Sequence, residues 1–368
     1  MNNTPTAGPA PLDVIVVGAG QAGLAIGHYF AQGGLSFVLL EAGGEVGHTW
    51  RNRWDSLRLF SPAQYDSLPG MPFPAPADSH PSKDDVADYL ASYAERFDLP
   101  VRLNSPVLRT HREQDGNFVV TTPSGELRAR QVVVATGPFQ TPRVPAAASE
   151  LDRQVQQLHS ADYRNPGQVL GTRVLVVGAA NSGLQIADEL APTHTVSVSV
   201  GSKPLALPHR IAGRDLFFWL TKVGFFKVAA TSRLARRLRA RGDLVIGTRS
   251  ADLRRAGIGF RTRLTGFTGD VAQFADGTTM RVDAVVWATG FASDYSWLEV
   301  PGVIVDRQVR HQDGVTQVPG LYFLGLPWQT SRGSALLGFV GADAAALSAR
   351  IVGAVRAAQE APAVHTAS

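Results

Sequence analysis

The sequence predicts an α/β fold with two Rossmann-like dinucleotide-binding units and small antiparallel sheets beside them. Three observations carry this. A strand, a glycine-rich turn and a helix follow one another from Leu12 to Gln32, and the same order returns from Arg173 to Leu190. Each unit later ends in an apolar strand that closes on Ala-Thr-Gly, at Ala135-Thr136-Gly137 and at Ala288-Thr289-Gly290. Two such βαβ patterns, roughly a domain's length apart, give two nucleotide-binding domains in one chain.

In the first unit, Leu12 to Val17 is a short apolar run bounded by glycine, the pattern of a strand buried on both faces. Gly18-Ala19-Gly20-Gln21-Ala22-Gly23 follows. Gly18 permits the tight turn, Gly20 lets a pyrophosphate approach the backbone, and Gly23 lets the helix pack close to the strand. The helix runs from Leu24 to Gln32 and is closed by Gly33-Gly34; Ser36 to Leu40 forms the next strand. Glu41 ends that strand, about twenty residues past the turn, where a carboxylate accepts a ribose hydroxyl.

The second unit has Arg173 to Val177 as strand, Gly178-Ala179-Ala180-Asn181-Ser182-Gly183 as turn, Leu184 to Leu190 as helix and Thr195 to Val200 as strand. Ala180 puts a Cβ where the central glycine would stand, while Asn181 and Ser182 add donors at the helix start. No acid ends the following strand; Gly201-Ser202-Lys203 stands there instead. A 2′-phosphate then meets no repulsion, and Lys203 can pair with it. The plain alternative is a structural turn and an exposed loop lysine.

Val107, Phe118 to Thr122 and Leu127 to Ala129 read as short antiparallel strands with a turn at Ser124-Gly125, and Val271 to Phe274 enters an Asp276-Gly277 hairpin. Leu321 to Leu324 is a further strand, and an Ala-rich helix is expected from about Ser334 to Ala358.

A chain of 368 residues suggests two or three domains. With no cysteine, a disulfide framework, a thiolate metal site, an iron–sulfur cluster and a cysteine nucleophile are all excluded. The net charge of +4 is too small to favour nucleic acid over small anions, and no nucleic-acid motif accompanies it. No apolar run reaches the ~18 residues of a membrane span. Met1 to Pro11 reads as a loose tail without the features of a signal peptide, and a cytoplasmic protein is the default. Neither a His-Glu-x-x-His motif nor a Gly-x-Ser-x-Gly elbow is present, so no metal site is expected.

The chain resembles the class B flavoprotein monooxygenases: the flavin-containing monooxygenases, the Baeyer–Villiger monooxygenases and a short bacterial subgroup. The likeness rests on the first glycine turn with Glu41, Gly47-His48-Thr49-Trp50-Arg51, Leu158-His159-Ser160-Ala161-Asp162-Tyr163, the second glycine turn and both Ala-Thr-Gly elements. It implies a discontinuous FAD domain, residues 11–165 plus 285–358, with an NAD(P) domain, residues 166–284, inserted into it. Residues 1–10 form the tail.

On the FAD side, the resemblance implies Gly18, Gly20, Gln21, Ala22, Gly23, Glu41, Ala42, Thr49, Trp50, Arg51, Ser61, Val107, Ala135, Thr136, Gly137, Trp328 and Leu337 as cofactor contacts. On the nicotinamide side it implies Gly178, Ala180, Asn181, Ser182, Gly183, Ser202, Lys203, Ala288, Thr289 and Gly290. Within this pattern Trp50, Arg51, Trp54 and Phe60 lie against the flavin ring, and the loop from Gly325 to Ser334 aims a helix N-terminus at it. Two departures stand out. Arg153 and Val155 replace the aromatic residue and glycine that open the family's His-Ser fingerprint. Leu59-Phe60-Ser61-Pro62 lacks the asparagine that flavin-containing monooxygenases carry near the flavin.

The implied activity is an NAD(P)H-dependent monooxygenase, NADPH preferred and NADH also accepted. It would place one oxygen of O2 into a sulfide, an amine or a ketone through a flavin 4a-peroxide. No catalytic side chain is singled out. A reductase passing electrons to a quinone, ferredoxin or other acceptor stays open, as does a nucleotide-bound redox sensor. The stretch Asp215 to Phe226 could cover a substrate passage or touch a membrane. The arginine run Arg233, Arg236, Arg237, Arg239 and Arg241 reads as a solvated helix face. The sequence is silent on oligomeric state.

Overall fold

The computed structural model describes residues 10–202, 205–240, 244–247 and 250–360. Lys203 and Arg241, both singled out in the sequence, lie outside the described residues.

Two sheets organise the described residues. In the larger one the strands run Val101–Arg102, Phe37–Leu40, Leu12–Val17 and Gly125–Val134, with Leu321–Phe323 beside the last. These pairings are all parallel. Val14, Ile15 and Val16 are fully buried, as a strand covered on both faces requires. Each such side chain contributes about 1.5–3 kcal/mol on burial. Helix Gln21–Gly33 covers one face and packs against helix Val340–Glu360, where Gly33 lies so close to Val352 that a Cβ would meet its methyl at 2.9 Å.

Gly125–Val134 is a single ten-residue strand that changes partner along one edge. Its first half pairs antiparallel with Phe118–Thr122, and Val132–Val134 pair parallel with Leu321–Phe323. The two segments read separately from sequence are therefore continuous. Val107 lies outside the strands, which begin at Arg109. The C-terminal helix starts at Val340, not Ser334, for a steric reason. Gly338 passes so close to Tyr65 that a Cβ would sit 1.8 Å from its carbonyl oxygen, so the chain turns over that loop before the helix begins.

The second sheet has five parallel strands in the order Gly259–Arg261, Thr195–Ser199, Arg173–Val177, Ala284–Trp287 and Gln156–His159. The expected boundaries at 165/166 and 284/285 cut across it. Gln156–His159 and Ala284–Trp287 both hydrogen-bond into this sheet, because strand pairing, and not closeness in sequence to a glycine turn, decides membership. A three-stranded antiparallel sheet, Leu264–Thr268, Val271–Phe274 and Thr279–Arg281, caps it. Two connections join the units, and they pair with each other: Phe291–Ala292 runs antiparallel to Thr141–Pro142.

Among the described residues, no helix is long and apolar enough to cross a membrane.

Candidate active site

Register places each glycine turn at a carboxyl edge. Val17 pairs with both Leu40 and Val134, so Gly18, Glu41 and Ala135 emerge side by side. Val177 pairs with both Ser199 and Trp287, which sets Gly178 beside Ala288 in the same way. Ligands of open α/β sheets bind at such edges.

The two turns are near copies. Gly18 has φ +104° and Gly178 φ +119°, a region that favours glycine. A Cβ on Gly18 would lie 2.7 Å from the Ala135 carbonyl oxygen, and one on Gly178 would lie 2.2 Å from that of Ala288. Gly23 and Gly183 each sit with a would-be Cβ 2.0 Å from the carbonyl oxygen of the first glycine, which explains the third glycine of each motif. Gly20 differs: no atom lies within 4 Å of its would-be Cβ. Gly20 is also the N-cap of helix Gln21–Gly33 and gives no side-chain cap bond. The first-turn amides therefore face open space with a positive helix end, a cradle suited to a pyrophosphate. Ala180 adopts the same extended conformation at the second helix and is exposed. Glu41 holds the first turn together by accepting from Ala19 N–H at 3.0 Å and Gly43 N–H at 2.9 Å.

A cavity of about 790 Å3 opens between the two turns. From the expected FAD contacts it is lined by Gly18, Gly20, Gln21, Ala22, Glu41, Ala42, Thr49, Trp50, Val107, Ala135, Thr136 and Gly137. From the second set, Asn181 and Ser182 reach it. Gly23, Gly178, Gly183, Ala288, Thr289 and Gly290 shape the turns and the linker behind this wall. Ala180 and the exposed Ser202 are also off the lining.

Several expected contacts are held elsewhere. Arg51 pairs with Asp88 at 2.6 Å, Asp84 at 3.3 Å and Glu45 at 3.5 Å, so its charge serves the helix beneath. The Asp88 hydrogen bond, opposed by desolvation, raises its already high pKa. Ser61 donates to Asp66 in a buried pair. Trp328 lies against the guanidinium groups of Arg239 and Arg332, and Leu337 is buried in the core. The Asn181 side chain donates to Leu244 O and accepts from Ile246 N–H, both at 3.1 Å, so one of its two N–H donors and its oxygen serve the backbone of that strand. His159 bonds Gly290 O at 3.1 Å and accepts from Ala161 N–H, and Tyr163 donates to Glu189; both fasten the linker.

The sequence reading missed Arg53, Phe139, Gln140, Gln185 and Phe291, all of which line the cavity. Arg53 lies over the rings of Phe139 and Phe291, at 5.1 and 5.2 Å from their centroids. Burial and the nearby Arg164 lower its pKa, so the site holds a desolvated cation. Its neighbour Arg51 drew attention instead, and nothing local separates the two. The stretch after Asp215 forms helix Leu216–Lys222, and Phe217 rests on the cavity-lining Phe60 and on Phe226.

This fold and cavity define a flavoprotein with two dinucleotide units. A family profile described as pyridine nucleotide-disulphide oxidoreductase matches residues 15–209. An uncharacterized oxidoreductase CzcO-like of Geobacillus kaustophilus (strain HTA426) is 47% identical over 90% of this chain and 96% of that protein. An indole-3-pyruvate monooxygenase, YUCCA8, of Oryza sativa subsp. indica is 30% identical over 95% and 93%. Among solved structures, a flavin-containing monooxygenase from Stenotrophomonas maltophilia has a TM-score of 0.79 at 30% identity, covering 94% of this chain and 99% of its own. The chain belongs to the pyridine nucleotide-disulphide oxidoreductase family, in its class B flavoprotein monooxygenase-like branch, and is a flavin-dependent oxidoreductase. Lacking cysteine, it has no redox-active disulfide of its own.

Proposed function

We propose that this chain is an NADPH-dependent FAD monooxygenase that transfers one oxygen atom of O2 to a small soft nucleophile or ketone, such as a sulfide or amine. The carrying observation is that residues of both glycine turns line one cavity. FAD supplies hydride acceptance and oxygen activation when bound; the chain's own groups bind, orient and exclude water. In this reading the amides after Gly20 hold the pyrophosphate, Glu41 takes a ribose hydroxyl, and the aromatic wall of Trp50, Trp54 and Phe60 keeps the reaction dry. Arg53 supplies a fixed positive charge for the electron-rich end of a reacting group.

Preference for NADPH is supported by the strand end at Val200, where no acid follows and the Arg263 guanidinium donates to Gly201 O at 2.9 Å. The larger sheet would hold FAD and the five-stranded sheet the nicotinamide cofactor. A second reading, a reductase serving a separate acceptor, draws on one observation: the cavity wall at Leu59 and Phe60 offers no asparagine. Stoichiometry decides. A panel of sulfides, amines and ketones is incubated with NADPH and O2, and oxygenated product is counted against NADPH consumed. Near-equal counts support the monooxygenase. NADPH oxidation that yields no product, yet accelerates with an added quinone, sinks it in favour of the reductase.

A further inference from the structure

Away from the glycine turns, three metal-ligating side chains converge that no sequence motif links. His80 lies on the loop after the cavity-lining residues Leu59 and Phe60, and His209 and Asp215 lie on the segment after the second glycine unit's strand Thr195–Ser199. One donor atom from each lies within 4.8 Å of the other two. His80 Nε2 is 3.7 Å from Asp215 Oδ2, and the two imidazoles meet with centroids 4.7 Å apart.

Outer hydrogen bonds fix which atoms face inward. His80 Nδ1 is 3.0 Å from Leu59 O. A carbonyl oxygen only accepts, so that nitrogen carries the proton and Nε2 of the neutral ring presents a lone pair. Asp215 Oδ1 accepts from Phe217 N–H at 2.7 Å, which leaves Oδ2 turned to His80. His209 Nδ1 is buried with no hydrogen-bond partner. The His80 Nε2 lone pair thus faces Asp215 Oδ2 at 3.7 Å, too long for a hydrogen bond. Two electron-rich atoms so placed repel unless a cation stands between them. A histidine and a carboxylate already oriented by second bonds, with a further imidazole beside them, form the donor set of a borderline divalent ion.

We propose that His80, His209 and Asp215 form a Zn2+ site that fastens the segment carrying His209 and Asp215 onto the loop that carries Leu59 and Phe60. Bonds of about 2.0–2.1 Å put tetrahedral donors roughly 3.3 Å apart, so the groups draw in by about 1 Å around the ion, and water completes the shell. The consequence reaches the cavity, because Phe217, two residues after Asp215, packs on Phe60. The rival arrangement has no metal: a proton on Nε2 makes His80 an imidazolium paired with Asp215.

The flavin-loaded protein, dialysed against a chelator, is titrated with Zn2+ under equilibrium dialysis, and in parallel with Co2+, whose visible d–d absorption reports tetrahedral coordination. One Zn2+ per chain is expected, with a melting temperature that rises with free Zn2+. His209→Gln and Asp215→Asn should each weaken binding by roughly a hundredfold or more at unchanged flavin content. Asp215→Asn keeps an oxygen for the Phe217 N–H, so it tests the charge and spares the cap. Absence of stoichiometric uptake by the wild type overturns the site and leaves the imidazolium–carboxylate pair. Uptake that survives both substitutions also overturns it.

Discussion

Gly20 and Ala180 stand at equivalent points of the two turns with matching extended backbones, at φ −77° and −84°. What separates them is one methyl group. Because Gly20 is not in a glycine-only conformation, Gly20→Val leaves the backbone unstrained and fills only the open space before the helix. The variant should fold and purify without colour, at a stability cost of about 1 kcal/mol or less for the altered cap. Flavin content by absorbance, beside far-UV circular dichroism, checks this; stoichiometric flavin in the variant would remove the first turn from the cofactor site. A second residue carries a pH dependence. Asp66 is 2% exposed, accepts from Ser61 at 2.6 Å, and burial pushes its pKa up to about 7. The folded state then keeps a proton that the unfolded chain loses near pH 4. Stability from this group is full below pH 4, falls as pH rises toward 7, and is lost above it, by up to ~4 kcal/mol. Asp66→Asn should flatten that slope, so its melting temperature should exceed the wild type's at pH 8 and match it near pH 4.

The helix Asn181–Leu190 shows how one side chain positions an element. Asn181 clamps the backbone of strand Leu244–Ile246 through two hydrogen bonds, and Ser182 beside it lines the cavity. Asn181→Ala removes both bonds and leaves Leu244 O and Ile246 N–H without those partners, at about 1–3 kcal/mol. The strand should loosen against the helix, and the NADPH KM should rise about tenfold per 1.4 kcal/mol transmitted, with flavin content unchanged. Steady-state kinetics and flavin absorbance separate the two effects; an unchanged KM would mean that the clamp does not shape the nicotinamide side. Arg51 and Arg53 make the complementary point. They sit two apart on one short segment, yet Arg51 ends the helix His48–Arg51 and reaches Asp84 and Asp88, while Arg53, past the Asn52 cap, lies over Phe139 and Phe291.

Across the whole molecule, the two sheets are joined by connections that cross as a two-stranded ribbon, and Phe291 on that ribbon faces the cavity. Its ring meets His159 at 5.0 Å and Phe139 at 5.3 Å, with Arg53 above, so the ribbon and the site share one aromatic cluster. Phe291→Ala should open the cavity to water at the point where the units meet. The expected outcome is a larger share of NADPH electrons ending as hydrogen peroxide, at unchanged flavin content, measured by peroxide assay against NADPH loss. A peroxide share equal to the wild type's would show that the cluster does not seal the site.

The glycine turns, their strands and Glu41 were legible in the sequence because their constraints are local. A positive φ, a close strand–helix approach and an acid at a strand end each leave a residue type at a fixed spacing. Both turns followed from that. The partner of each half of Gly125–Val134, the sheet that claims Gln156–His159, and the start of the last helix did not, because they depend on which segments pair in space. Arg53 with its two rings, the commitment of Asn181 to a distant strand, and the meeting of His80 with His209 and Asp215 likewise join residues far apart in the chain. Local sterics write themselves into composition and spacing; long-range packing and hydrogen bonding choose among residues that look alike locally. The sequence by itself therefore determined the two dinucleotide units and the class of chemistry, and only the tertiary structure decided which side chains face the cavity between them.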